Sequence, residues 1–133
     1  MKFSIEQAKQ TDAIDEMAML LLNGVTAAHV HHWNTIGSEA YAQHKAIGEF
    51  YEELDKLADS LIEGCLLDKS KRISGEGALF LGETPLALVQ YIYANVAKLR
   101  KNNGFPQDSE VQNEVDSIQM LCRHTINKLV RLG

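Results

Sequence analysis

Four times along this chain apolar residues return at intervals of three and four, and glycine, proline or asparagine stand between those stretches. That interval is the period of an α-helix and not of a strand, so each stretch reads as a helix with one face to bury. The first runs from about Thr11 to Asn34, with Ala18, Leu21, Leu22, Val25, Ala28, His29 and His32 on one stripe. Leu20 and Val30 widen the stripe, which predicts a mostly buried helix with Gly37 as its C-cap. Ser38 reads as the N-cap of the second helix, with Glu39 in its first turn. That helix runs to about Glu63 on a stripe of His44, Ile47, Tyr51, Leu54, Ala58, Leu61 and Ile62. Thr84-Pro85 opens the third, a capping residue followed by proline at the first helical position, and Lys98, Arg100 and Lys101 close it. After the break at Asn102-Asn103-Gly104-Phe105-Pro106, the fourth starts near Asp108 or Ser109 and runs to about Leu132. Its stripe is Val111, Val115, Ile118, Leu121, Cys122, Thr125, Ile126 and Leu129.

The connection from Lys69 to Glu83, about fifteen residues, is long for a simple helix–helix turn and is expected to cross the length of the bundle. Its run Ala78-Leu79-Phe80-Leu81 is expected to pack on the helices. Four helices with one long connection between the second and third describe an all-α, ferritin-like four-helix bundle. A chain of 133 residues fits one such domain, spanning residues 1–133. The net charge of −5 argues against a broad nucleic-acid face, which needs clustered Lys and Arg, and it suits the attraction of cations. Lys69, Lys71 and Arg72 read as a flexible basic loop. No stretch reaches the roughly 18 apolar residues of a membrane span, and Met1 to Glu6 lacks the apolar core of a signal peptide. The two cysteines, Cys65 and Cys122, have neither disulfide-scaffold nor zinc-ribbon spacing. A cytoplasmic location is expected.

His32, His44, Asp59 and Glu63 carry the candidate chemistry, with Trp33 beside them. Two imidazoles and two carboxylates suit iron, and also zinc or manganese. His32 ends one helix and His44 begins the next, so they can be neighbours across the turn. Asp59 and Glu63 stand one helical turn apart on one face. His44 and Asp59, however, are fifteen residues apart on one helix, roughly 22 Å at about 1.5 Å per residue. One chain alone cannot gather all four around an ion. Two second helices meeting antiparallel about a two-fold axis can, and a two-fold uses the same patch twice, so two sites arise per dimer. Asp55, Asp59 and Glu63 form a row of like charge that a bound cation would relieve. His29, one turn before His32, can assist; His31 points elsewhere and reads as a surface residue, and His124 has no acidic partner at a useful spacing.

The pattern His32-Trp33-Asn34, Gly37, His44, Asp59 and Glu63, with spacings of 12, 15 and 4 between the four candidate ligands, resembles the Dps mini-ferritins. The resemblance covers residues 17–64 as a motif and the remainder as helix order. It implies that His32 and His44 of one subunit and Asp59 and Glu63 of another are ferroxidase ligands at a dimer interface. It also implies oxidation of Fe(II) by peroxide or oxygen, storage or detoxification of iron, and assembly beyond the dimer into a shell. Members of that family often carry an acid where this chain has Gly48, and commonly an arginine where it has Gly64. The lysine-rich tail that some members use on DNA is absent, so DNA binding through a basic tail is not expected. Two alternatives stand beside the ferroxidase: a ferritin-like helical assembly protein without efficient chemistry, and a structural dimer that binds zinc through the same ligands.

Overall fold

Asp12 opens the first helix, α1 (Ala13–Asn34), by accepting the backbone N–H of Asp15 on its side-chain oxygen at 2.7 Å. The computed structural model describes residues 12–68, 70–77 and 79–132. The expected start at Thr11, and Lys69 and Ala78 of the connection, lie outside those residues. At its far end α1 is closed by Thr35, whose backbone N–H and hydroxyl both donate to the His31 carbonyl, at 2.9 and 2.6 Å. Gly37 therefore does not cap α1. It stands at φ 98°, a left-handed conformation that glycine takes without strain, and it starts a single 3-10 turn, Ser38–Ala40. Ser38 lies inside that turn, so α2 (Tyr41–Leu61) begins without the expected side-chain cap.

α2 passes directly into a wider π-turn, Ile62–Leu66, marked by the bond from Leu67 N to the Ile62 carbonyl at 3.0 Å. Glu63 and Gly64 stand in this turn and not in an α-helical one. α3 (Pro85–Leu99) is capped by Thr84, whose hydroxyl accepts from Ala87 N at 3.0 Å. α4 is Ser109–Leu132. Each helix packs on two others, α1 on α2 and α3, and α4 on α2 and α3, so the four surround one core. No strand occurs among the described residues.

Met17, Leu21, Ile47, Leu54, Leu61, Ile92, Val115 and Ile118 are fully buried at the centre. Each such side chain contributes about 1.5–3 kcal/mol, against the entropy of ordering the chain. Phe105, from the α3–α4 turn, is only 2% exposed and plugs one end of the core, although it belongs to no helical stripe. Gly24 lets α1 and α3 approach closely, since a Cβ there would lie 2.8 Å from Ile92 Cδ1. The α1 stripe is not buried throughout. Met17, Leu21, Gly24 and Ala28 face the core, whereas Leu22 is 56% exposed and Val25 and His29 are half-buried. The stripe is wider than the interior needs, and its outer edge faces away from the bundle.

Between Leu66 and Pro85 the described residues carry no helix. Lys71 Nζ stands 2.8 Å from both Asp12 Oδ2 and Asp15 Oδ1, and Ser74 N donates to Asp15 Oδ1 at 3.0 Å. Further along, the Leu81 carbonyl accepts from His31 Nε2 at 2.7 Å. Asp15 and His31 are sixteen residues apart on α1, about 24 Å, so this segment lies alongside that helix. Lys71 is thus an anchor and not a free charge on a flexible loop. Burial alone would push the Asp15 carboxyl up; the Lys71 ammonium and the Ser74 and Asp12 amides outweigh it and hold the carboxyl below its ordinary value. Leu79, Phe80 and Leu81 rest half-exposed, with Phe80 stacked on Tyr91 of α3 at 4.0 Å.

Candidate metal centre

The turn between α1 and α2 brings His32 and His44 face to face, ring centroids 3.7 Å apart and planes 22° from parallel. Their hydrogen bonds are reciprocal: His32 Nδ1 donates to the His44 carbonyl at 2.9 Å, and His44 Nδ1 donates to the His32 carbonyl at 2.8 Å. A carbonyl only accepts, so each Nδ1 carries a proton, and in the neutral imidazole each Nε2 keeps its lone pair. This is the tautomer in which a histidine ligates a metal through Nε2, oriented by a backbone carbonyl behind it. Neither Nε2 has a protein partner among the described residues.

Gly48, one turn beyond His44, makes this clasp fit. A Cβ there would lie 2.9 Å from both Cε1 and Nδ1 of His32. The volume that a side chain at position 48 would occupy is filled by the His32 ring. Tyr51 then meets His32 edge-on at 5.6 Å, His29 stacks on Tyr51 at 4.4 Å, and Trp33 leans on His29 at 4.5 Å. Aromatic pairs of this kind contribute about 0.5–1.5 kcal/mol each beyond their burial. His29 is therefore a ring-stacking partner of Tyr51 and Trp33. Trp33 itself is 63% exposed. His31 points away from the pair towards Leu81, and His124 is exposed on α4.

Asp59 and Glu63 stand at the other end of α2, exposed, on the rim of a groove of about 240 Å³ between α1 and α2. Asp55 shares the rim; Leu22, Val25, Ala58 and Ile62 form the apolar floor. The π-turn does not take Glu63 off this face. Among the described residues, none of the three carboxylates has an ion pair or a hydrogen bond. A different side of α2 is tied to α4, through Ser60 to Glu114 at 2.9 Å and Lys128 to Glu49 at 3.6 Å. The face bearing the imidazoles and the carboxylates is thus the one that α4 leaves uncovered.

Within one chain these groups form two pairs, imidazoles at one end of α2 and carboxylates at the other. Among the described residues no three His, Cys, Asp or Glu side chains gather closely enough to hold a metal ion. Sequence reasoning overlooked the reciprocal histidine bonds and the role of Gly48 as a seat. The available signal was a glycine inside a helix one turn from a candidate ligand, where glycine is costly unless something approaches closely. Of the two cysteines, both free, Cys122 is buried in the core, and burial pushes its thiol up to about 12.

A family model matches residues 32–129, well over half of the chain. The chain belongs to the family of unknown function DUF5856. The span matched by DUF5856 begins at His32 and contains His44, Gly48, Asp59 and Glu63. No curated protein and no solved structure matches the chain. No helix among the described residues is long and apolar enough to cross a membrane.

Proposed function

We propose that this chain is a ferritin-like, iron-binding protein that oxidises Fe(II) with peroxide or oxygen at a site shared by two copies. The observation that carries the reading is the pair of histidines held by their Nδ1–H groups, with both Nε2 lone pairs left without a protein partner. The same α1–α2 face bears Asp59 and Glu63, likewise unpaired. The ring of four helices, with its extended segment alongside α1, supports the ferritin-like fold.

A two-fold that sets α2 antiparallel to its copy brings His32 and His44 against Asp59 and Glu63 of the second copy. A divalent cation between them takes the imidazole lone pairs and the carboxylates together. Fe(II) is the substrate. The imidazoles hold it, and the carboxylates, hard anionic donors, favour the Fe(III) product and so promote loss of the electron. With peroxide, two Fe(II) give up one electron each, the O–O bond breaks, and two protons complete two waters. Removing Fe(II) and peroxide together suppresses hydroxyl-radical damage; the proposed role is iron detoxification or storage by a cytoplasmic homo-oligomer.

The test is Fe(II) oxidation followed by absorbance, with and without peroxide, in wild type, His32→Ala and Asp59→Ala. Oxidation that saturates at a few iron atoms per dimer and is lost in both variants is expected. Rates equal to buffer in the wild type would sink the proposal.

A second reading, a ferritin-like assembly protein or zinc-stabilised dimer without redox turnover, draws on the stacking of His32 on His44 at 3.7 Å and on the absence of a side chain at Gly48. Dimer stability that rises with Zn(II), with no Fe(II) turnover, would favour it.

A further inference from the structure

The extended segment between α2 and α3 is tied to α1 by Lys71 near one end and by the His31 bond to the Leu81 carbonyl near the other. Just beyond Leu81, Gly82 stands at φ 74° and so close to α3 that a Cβ there would lie 3.1 Å from Leu88 N. Between these anchors the segment walls a cleft of about 310 Å³ between α1 and α3, to which it gives Glu76, Gly77 and Phe80. The helices supply an apolar lining, Met19 and Leu20 from α1 and Leu88 and Ile92 from α3. Two carboxamides interrupt that lining. Asn23 and Asn95, both half-buried, stand in the interiors of α1 and α3, where asparagine is a poor helix former. The Asn23 side chain has no hydrogen bond among the described residues, and Asn95 donates one N–H to the Tyr91 carbonyl at 2.8 Å.

We infer that this cleft binds an uncharged planar heterocycle of purine size, as a free base or a nucleoside. Asn23 and Asn95 offer acceptor oxygens and donor N–H groups from two walls, and a carboxamide matches the adjacent donor and acceptor on a purine edge. Phe80 and Tyr91, stacked on each other at 4.0 Å, line the same cleft and stay 41% and 37% exposed, so a flat ring has aromatic surface to stack on. An aliphatic occupant would bury the carboxamides without partners. The charges disfavour a nucleotide. Glu16, Glu76 and Lys98 are the charged side chains on the cleft, two carboxylates against one ammonium and no arginine fork, so a phosphate finds no clamp. The volume lies at the small end of ligand sites, which suits one ring system and not a dinucleotide or a nucleic-acid strand. No residue of α2 or α4 lines the cleft, so the inference is independent of the shared iron site.

The experiment titrates adenosine and guanosine into the full chain. Equilibrium dialysis gives Kd, and ¹H–¹⁵N NMR follows the side-chain amide signals of Asn23 and Asn95. Saturable binding of at least one nucleoside at a single site is expected, with both carboxamide signals shifting along the same isotherm. AMP should bind several-fold more weakly than adenosine, and so should indole, which is planar but lacks the acceptor edge. Asn23→Leu removes one carboxamide and should weaken binding by about tenfold or more. Gly77→Leu fills the cleft from a position where a Cβ meets only Asn23 Nδ2, at 3.7 Å, and should abolish binding with the fold retained. No saturable binding of either nucleoside would overturn the inference, as would binding that Gly77→Leu leaves intact. AMP bound at least as tightly as adenosine would overturn it in favour of a nucleotide site. Indole bound as tightly, with Asn23→Leu without effect, would reduce the cleft to an apolar cavity. The wild-type spectra decide even if a variant fails to fold: nucleoside-induced shifts that spare both carboxamides would place binding elsewhere and sink the idea.

Discussion

A methyl group at position 48 would lie 2.9 Å from the His32 ring, closer than real contacts allow. In Gly48→Ala the imidazole has to swing off its seat and lose its bond to the His44 carbonyl. Alanine also gains about 1 kcal/mol of helix propensity over glycine, which offsets much of the lost contact. The expected outcome is a stability change under about 1 kcal/mol with a large loss of Fe(II) oxidation. Loss of the protected Nδ1–H signal of His32 in imidazole ¹⁵N NMR would confirm the cause. An oxidation rate unaffected by this substitution would show that the clasp does not set the ligand. At Cys122 burial opposes ionisation, and a thiol pushed up to about 12 stays neutral at pH 8. Only thiolates attack aromatic disulfide reagents. The native protein should therefore release one equivalent of reporter, from half-buried Cys65, and a second only after denaturation; two rapid equivalents would contradict a closed core.

At the scale of elements, the extended segment between α2 and α3 is held to α1 by few polar contacts, and Asp15, 4% exposed, is central to them. Lys71→Met removes the ammonium and leaves that carboxylate in a poor environment. The cost at pH 7 is about 2 kcal/mol, less than for a fully buried pair because Lys71 keeps contact with water. The dependence on acid follows from the direction of the shift. The Asp15 carboxyl is held below its unfolded value of 3.8, so its contribution is present above that pH and fades as pH falls through the lower folded value. Urea titrations of wild type and Lys71→Met should differ near neutrality and converge below pH 3.8. A gap that persists in acid would mean that the contact is packing and not charge.

For the molecule as a whole, the proposed site requires two copies, and mixing can test that. His32→Ala and Asp59→Ala are each expected to be inactive alone. In a heterodimer of the two, one site lacks both the histidine and the carboxylate, and the other is intact. Random exchange makes half the dimers mixed, so about a quarter of wild-type oxidation should return. No recovery after exchange, with both variants folded and dimeric, would place the chemistry within single chains. The unpaired carboxylates cost an isolated chain a few tenths of a kcal/mol per pair, a cost that the proposed cation site would remove.

Helix number, the Thr84-Pro85 start, the α4 stripe and the proximity of His32 to His44 were legible in the sequence, because each is set by neighbours within a turn or two. Periodicity reports which residues are apolar together, and capping reports where a helix can start. The same local signals ended α1 correctly at Asn34 but gave it the wrong cap, and they misplaced the α2 start, since Thr35 closes α1, a 3-10 turn precedes α2, and Gly37 supplies a left-handed residue instead of a cap. They also read α1 as mostly buried, because amphipathicity measures a face and not what covers it. Only tertiary structure decided that Leu22 and Trp33 stay outside and that Phe105 fills the core. It also decided that Lys71 reaches back more than fifty residues to Asp12 and Asp15, and that the His32 ring occupies the volume above Gly48. Those outcomes depend on distances between segments far apart in the chain, and a local pattern carries no record of them.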